Sequence, residues 1–435
     1  MMLRIALFLL MLASPVRAEI AIQEVTSPGG IKAWLVEDHN IPFMALELRF
    51  RGGTSLDQPG KRGAVNLMAA TLEEGAGDMD AQGFAAARDG LAAKIGFGAG
   101  ADEVSVSVQS LTENRDAAMA LLHLALTSPR FDQDAVDRVK GQVLAGLRAD
   151  EQDPSAIAAK LSRARAYGDH PYGSSGDGTI DSVTALTRDD VLAAWQGSMA
   201  RDRIYVAAAG DISAEELGLL LDKLLAGLPD AGWPMPAKAV LNEEPGVVVQ
   251  AFPGPQSVVL FGHGGIAFDD PDFFAASLLN DILGGGRFSA RLMQEVREKR
   301  GLSYGIGTGL ASRDLSAEWV GQFQASNDKV AEAIKVVRDE WVKMATEGVT
   351  AEELATAKTY MTGAYPLRFD GNSQIASILV GMQMLGLSAD YPKTRNAKVN
   401  AVTMDDISRV AKRLLKPENL SFVVVGDAAG VEATE

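Results

Sequence analysis

The chain repeats part of its own sequence, and this repeat limits the folds that are open to it. The segment LTRDDVLAAWQGSMARDRIYVAAAGD resembles VTMDDISRVAKRLLKPENLSFVVVGD, with no gap between the two copies. Each copy is typical of a capped amphipathic helix followed by an apolar strand that ends in Gly-Asp. The matched residues, at an offset of 216 (403 minus 187), are Thr187, Asp189, Asp190, Gly210 and Asp211 in the first copy and Thr403, Asp405, Asp406, Gly426 and Asp427 in the second.

A second match lies upstream of each copy. FRGGTSLDQPG resembles FGHGGIAFDDPD, and Asp57 matches Asp269 at an offset of 212 (269 minus 57). The two halves therefore have nearly the same length, and the stretch between them holds four prolines, which favours an extended linker. We predict a signal peptide over 1–18, a first domain over 19–228, a linker over 229–247 and a second domain over 248–435.

Within the first half, short strands are followed by several helices. Strict alternation of apolar and polar residues predicts a half-buried strand at Val104–Val108. Strands clustered beside helices predict an α+β fold, in which each half has a mixed or antiparallel sheet with helices packed on one side. The other predicted strands are Trp34–Val36 and Met44–Phe50, and the predicted helices are Gly63–Glu74, Glu113–Leu126, Asp134–Leu147 and Pro154–Ala166.

The N-terminus has the pattern of a secretory signal. Arg4 is followed by the apolar run Ile5–Ala13 and by the small residue Ala18, after which we expect cleavage. The alternative is an uncleaved anchor, although the run is shorter than the roughly 20 apolar residues that a spanning helix needs. We therefore predict a periplasmic or secreted protein with no membrane attachment after signal cleavage.

Composition excludes several classes of function. With 41 Lys and Arg against 57 Asp and Glu, the net charge is −16, and signal cleavage would remove Arg4 and Arg17 to leave −18. An acidic chain is a poor candidate for binding nucleic acid or anionic lipid, which need basic surfaces. The absence of cysteine excludes disulfides, thiolate metal sites and cysteine nucleophiles.

Three segments resemble one known family. They are SPGGIKAWLVEDHNIPFMALELRFRGGTSLDQPGKRGAVNLMAATLEEGAGDMDAQGF, GDHPYGSSGDGTIDSVTALTRDDV and LGGGRFSARLMQEVREKRGLSYGIGT. Together they resemble the pitrilysin/insulinase-type zinc peptidases, a family that includes mitochondrial processing peptidase subunits and the core subunits of respiratory complex III. The likeness extends over essentially the whole mature chain and implies one half of a clam-shell.

The family's zinc motif is missing from this chain. Active members carry His-x-x-Glu-His, in which two histidines on one helix face bind Zn²⁺ and the glutamate acts as general base. The matching positions here are Asn66, Ala69 and Ala70, and the third ligand would fall at Ala145 or Gly146. No two of the four histidines, His39, His123, His170 and His263, have ligand spacing on a helix. We predict no metal site in this chain, with zinc held by a partner subunit.

The second half keeps another family feature. The resemblance implies that Arg297 and Tyr304 contact the peptide backbone and stabilise an oxyanion across the chamber from the zinc, whereas a plain structural role would be a salt-bridged surface Arg and a core Tyr. Gly284, Gly285 and Gly286 are similar in character to a substrate-handling loop of the processing peptidase. The alternative for this glycine run is a helix C-cap and turn.

These features predict a non-catalytic subunit of a heterodimeric zinc endopeptidase. Its partner would be a homologous subunit that carries His-x-x-Glu-His, and unfolded peptides would be its substrate. Such peptides are expected to add as a strand to a sheet edge, for which Glu103–Ser110 is the candidate. The alternatives are a scaffold or peptide-binding protein with no protease partner, and an active peptidase with a displaced metal site.

Overall fold

The computed structural model describes residues 20–434, so the predicted signal peptide over 1–18 lies outside the described residues. Within residues 20–434, no helix combines the length and the hydropathy that crossing a bilayer requires. The α+β fold class is confirmed, with two separate main sheets that carry helices.

The first sheet is built from the N-terminal part of the chain. Its strand order is β1-β2-β8-β3-β7-β6, and every neighbouring pair is antiparallel except β2 with β8. A separate two-stranded ribbon pairs β4 with β5. The strands are β1 (Gln23–Thr26), β2 (Lys32–Glu37), β3 (Phe43–Arg51), β4 (Gly75–Ala76), β5 (Met79–Asp80), β6 (Lys94–Ala99), β7 (Glu103–Leu111) and β8 (Ile204–Gly210).

The second sheet repeats this topology without a counterpart of β1. Its order is β9-β13-β10-β12-β11, and the single parallel pair, β9 with β13, corresponds to β2 with β8. The repeat found in the sequence is therefore also a repeat of strand order. The strands are β9 (Gly246–Gln250), β10 (Gln256–Gly264), β11 (Ser303–Ser312), β12 (Ala317–Ser326) and β13 (Ser421–Val425).

Helices cover both sheets. The predicted helices are present, with ends that differ from the sequence-based ranges by up to three residues. They are α1 (Ala64–Thr71), α2 (Ala81–Gly90), α3 (Arg115–Thr127), α4 (Gln133–Asp150), α5 (Pro154–Tyr167), α6 (Ile180–Ala185), α7 (Arg188–Ser198), α8 (Ala214–Leu224), α9 (Phe273–Gly284), α10 (Val330–Glu347), α11 (Ala351–Ala364), α12 (Asn372–Met384), α13 (Tyr391–Ala401) and α14 (Met404–Leu414).

The repeated motif forms the same local structure twice. Thr187 caps α7 and Thr403 caps α14, and each makes a reciprocal capping box with the aspartate three residues later. Each following strand leads into a glycine with positive φ, +116° at Gly210 and +154° at Gly426. A side chain at either position would also collide with a neighbouring strand, so the glycine at the end of the motif is a steric requirement.

No helix or strand lies in the stretch between Leu224 and Gly246. It is nevertheless attached to both halves of the chain. The Trp233 N–H donates to Gly197 O at 2.8 Å, and the Ala239 N–H donates to Leu315 O at 2.9 Å. The domain and linker boundaries over this stretch stay a prediction.

The two halves exchange one equivalent helix each. From the second half, α12 packs on the first sheet, where Ala376 contacts the buried pair Ala45 and Ala209. From the first half, α5 packs on the second sheet, where Ala158 contacts Val258 and strand β13. Because each sheet is apolar on both faces, the exchange buries the face that the half's own helices leave open.

The predicted edge strand is wrong. Strand β7, which contains Glu103–Ser110, lies inside the first sheet between β3 and β6, and its backbone groups pair on both sides. The edges of the two main sheets are β1 and β6 in the first and β9 and β11 in the second. Alternation of burial along a strand reports which face is covered and carries no information about its neighbours.

The helix exchange predicts a strong dependence of stability on α12. Leu379 is fully buried between α12 and the first sheet, so Leu379→Ala should lower the free energy of unfolding by about 2–5 kcal/mol through lost burial and a residual cavity. The matched control is Leu367→Ala, because Leu367 is 80% exposed and its truncation should have little effect. Equal shifts of the urea midpoint in the two variants would contradict this packing.

Candidate functional site

The pentad that replaces the zinc motif lies on α1. The buried Asp57 fixes the start of this helix by accepting hydrogen bonds from the N–H groups of Gly63 and Val65, both at 2.8 Å. Burial raises the pKa of Asp57, and these N–H donors and the neighbouring Arg62 act in the opposite direction. The helix of the family motif is thus built and anchored although its metal ligands are absent.

The three pentad positions have different surroundings. Asn66 is half-buried and its Nδ2 donates to Asp177 Oδ1 at 3.1 Å. Ala69 is packed in the core of the first half, whereas Ala70 is exposed. None of them offers the nitrogen, sulfur or carboxylate donors that zinc sites use.

Nearby acidic side chains do not supply the missing ligands. Ala145 and Gly146 are exposed on α4. Glu73 pairs with Arg88 at 2.9 Å, and Glu74 accepts a bidentate pair from Arg138 at 2.8 and 2.6 Å. Among residues 20–434, no cluster of three or more His, Cys, Asp or Glu is placed to hold a metal ion. The donors present therefore do not fit a catalytic zinc.

Each histidine makes a local structural contact. The His39 ring bridges Glu37 and Asp211, the ring of His123 contacts Leu224 O at 3.0 Å, and that of His170 accepts from the Tyr172 N–H. The buried His263 accepts from Trp341 Nε1 at 2.9 Å and contacts Gly264 O at 2.6 Å, so its ring is neutral with Nδ1 protonated. Burial lowers its pKa.

The structure brings Arg297 and Tyr304 together. The Arg297 guanidinium carbon lies 4.4 Å from the centre of the Tyr304 ring and 4.8 Å from that of Phe288. Two aromatic faces thus hold the cation, while Tyr304 stays 86% exposed and Phe288 60% exposed. The structural alternative of a core tyrosine is wrong. The role of the pair in catalysis stays a prediction, and Phe288 is a member that the sequence reasoning missed.

Two backbone irregularities place Arg297 and Tyr304 at the surface. Arg297 lies on a π-helical turn, Met293–Glu298, and such turns occur often at functional sites. Strand β11 then has an irregular register between Ser303 and Ile306, where Ser303 Oγ donates to Gln324 O at 2.6 Å. This bulge directs Tyr304 out of the sheet, a known use of β-bulges.

Each glycine of the run Gly284–Gly286 has a local steric reason. A side chain at Gly284 would meet Thr308, one at Gly285 would meet the Asp281 backbone, and Gly286 has a φ of +83°. The run ends α9, as the C-cap alternative requires. It also lines a surface cavity, so a contribution to substrate binding stays a prediction.

That cavity is part of a longer surface feature, which we name the α5–β11 groove. Two adjoining cavities of about 710 and 530 Å³ share Ala159, Leu260 and Gly307 in their walls. Tyr304 lines the first of them, and Gly284–Gly286 line the second. The groove therefore joins the exposed tyrosine to the glycine run.

Comparison with known proteins identifies several similar chains. A family model described as the peptidase M16 inactive domain matches residues 185–361. A solved M16 inactive domain from Pseudomonas fluorescens is 28% identical, with a TM-score of 0.89 over 95% of this chain and 100% of that chain.

These matches confirm the resemblance to the M16 peptidase family. This is the pitrilysin/insulinase-type family that the sequence resembles, and both matches are described as its inactive domain. Among curated relatives, the non-peptidase homolog YmxG of Helicobacter pylori is 24% identical over 392 residues, covering 90% of each chain. An uncharacterized zinc protease of Streptomyces coelicolor is 24% identical over 404 residues, 91% of this chain and 87% of the relative.

The neutral state of His263 predicts acid sensitivity. Because its folded pKa is lowered, the stability it contributes is present above the unfolded pKa of about 6.5 and is lost as pH falls below that value. His263→Gln should remove this component, at most about 1.4 kcal/mol per pH unit, from the pH dependence of unfolding. His39, whose pKa is raised by Asp211 and Glu37, should contribute with the opposite sign, so His39→Gln is the control.

The donor set predicts that the purified chain holds no stoichiometric zinc. Elemental analysis after dialysis should find far less than one zinc ion per chain, because α1 offers only an amide and two methyl groups at the motif positions. A chelator should leave the melting temperature unchanged. Tightly held zinc, together with destabilisation by the chelator, would contradict the expected loss of the metal site and favour a displaced one.

Proposed function

We propose that this chain is the non-catalytic subunit of a heterodimeric periplasmic zinc endopeptidase. In this proposal the partner is a homologous subunit that carries His-x-x-Glu-His and holds the zinc ion. This chain binds the unfolded peptide and lends Arg297 and Tyr304 to the partner's site.

One observation carries the proposal. The helix that would hold zinc is intact in shape but lacks every ligand, whereas Arg297 and Tyr304 are stacked and accessible. An exposed tyrosine beside an arginine that is held between two aromatic rings is unexpected in a protein with no peptide-binding role. The retained half-site is expected to complete a site on another subunit.

The chemistry of the pair suits this role. A guanidinium and a phenol are hydrogen-bond donors, and a peptide carbonyl under attack gains negative charge on its oxygen. Stacking occupies the faces of the Arg297 guanidinium, and its Nε pairs with Glu298 at 3.3 Å. The terminal nitrogens at its edge remain to donate to a carbonyl oxygen.

A scaffold or peptide-binding role without a protease partner is the second candidate. It is favoured by the missing donors and by the similarity to a relative named as a non-peptidase homolog. A pull-down from the native source separates the two. A partner with an intact zinc motif supports the peptidase subunit, and recovery of a membrane complex or of no partner supports the scaffold.

If Arg297 and Tyr304 act in the partner's zinc site, replacing either should lower the rate of peptide cleavage. In the reconstituted complex, Arg297→Ala and Tyr304→Phe should each lower kcat/KM for a quenched peptide by about 100-fold or more, the usual effect of removing one oxyanion donor. The melting temperature of Tyr304→Phe should be nearly unchanged because Tyr304 is exposed.

The matched controls are Arg148→Ala and Tyr360→Phe. Arg148 is exposed on α4, and Tyr360 is a half-exposed tyrosine that packs on Arg287. Both variants should keep the parent rate. An unchanged rate in Arg297→Ala, measured with full assembly of the complex, would show that the pair is not used in trans.

A further inference from the structure

One wall of the α5–β11 groove is strand β11, which offers room for an extended chain. Along β11, Ile306 and Leu310 pack in the core of the second half and Thr308 bonds to Asn280. The alternating positions therefore face the groove, and they are all glycines, Gly305, Gly307 and Gly309. A Cβ atom would meet nothing within 4 Å at Gly305 or Gly309, so this wall is open backbone.

The opposite wall is one face of α5. Ala159, Arg163 and Tyr167 follow one another at four-residue spacing, and all of them line the groove. Ala159 on this wall and the glycines of β11 on the other leave room for a peptide. Tyr167 is engaged, because its hydroxyl donates to Glu318 Oε2.

Arg163 lacks a partner in this wall. Its Nε is buried without a hydrogen bond, and it forms no ion pair within residues 20–434. Burial is the main cause that lowers its pKa, and the positive charge of Arg313 is the second. The charges of Asp177 and Asp150 act in the opposite direction, but neither carboxylate pairs with it.

Arg313 reaches the same cavity from the turn between β11 and β12. Its guanidinium carbon lies 5.4 Å from the centre of the Tyr172 ring, and this ring is fixed because its hydroxyl donates to Asp102 and accepts from the Leu315 N–H. Stacking uses the face of the guanidinium and leaves its edge donors available. In the part of the chain that the structure describes, Arg313 makes no ion pair.

We propose that Arg163 and Arg313 form a binding site for a carboxylate of the peptide that occupies the α5–β11 groove. The inference rests on the proposed function in that it names the substrate class of the same subunit. Two adjacent guanidinium groups in a half-buried cavity repel each other, and this costs free energy as long as no anion lies between them. A carboxylate that accepts from both removes the repulsion and supplies the missing hydrogen bonds.

The position of the site limits how the peptide lies. Tyr304 is at one end of the groove, and Gly309 lines the cavity that holds the two arginines. Gly309 is five positions after Tyr304 in the strand, a distance of about 17 Å at a rise of about 3.4 Å per residue. An extended peptide that contacts Tyr304 therefore places its carboxylate about five residues away. This carboxylate is either an acidic side chain or the C-terminus.

The test is direct binding to the purified full-length mature chain, without partner or zinc. Three short peptides of Ser, Ala and Gln carry an uncharged fluorophore at the N-terminus. One is amidated and neutral, one has a free C-terminal carboxylate, and one is amidated with an internal Glu. Fluorescence anisotropy should show about tenfold tighter binding of at least one carboxylate peptide than of the neutral one, and the tighter of the two identifies the source of the carboxylate.

Arg163→Gln and Arg313→Gln should each abolish this preference, while Arg148→Gln, on the exposed part of α4, should keep it. Equal binding of the three peptides to the parent chain, or no binding of any at millimolar concentration, overturns the proposal. So does a preference that survives Arg163→Gln. Because this assay needs no catalysis, its failure leaves the Arg297 rate test of the complex to decide the proposed function separately.

Discussion

The exchange of α5 and α12 between the halves is the packing constraint on which the rest of the structure depends. Each main sheet is covered on one face by helices of its own half and on the other by a helix of the opposite half. The close approach of α12 depends on alanines, because Ala45, Ala209 and Ala376 bring helix and sheet backbones together. Neither half alone could bury both faces of its sheet, so the two repeats form one structural unit.

The same exchange creates the groove. Its helical wall, α5, belongs to the first half, whereas β11 and the glycine run belong to the second. Arg163 and Arg313 therefore come from different repeats and meet only because the helix crosses over. The walls of the groove are held in place, since both are regular elements that pack on the cores.

Structure that depends on residues close in sequence was predicted well. Pairings between segments distant in sequence were not. The capping boxes at Thr187 and Thr403 need only residues three positions apart, and the zinc pentad occupies one helix. The alternation that correctly predicted a strand at Val104–Val108 is the same for an edge and for an interior strand, so the predicted edge at Glu103–Ser110 was wrong. Helix periodicity likewise identified an apolar face on Pro154–Ala166 without indicating that it covers the other half's sheet.

The stacking of Arg297 could not be predicted for a related reason. Its partners are Phe288, which lies nine residues before it, and Tyr304, which lies seven residues after it, and they meet through a π-helical turn and a bulge. Neither irregularity has a pattern in a single sequence. Arg297 and Tyr304 thus lie where backbone geometry departs from regularity, whereas the regular helix α1 occupies the place of the family's zinc motif without its ligands. Asp177 relates to both regions, because it accepts a hydrogen bond from Asn66 on the motif helix and its negative charge acts on Arg163 in the groove.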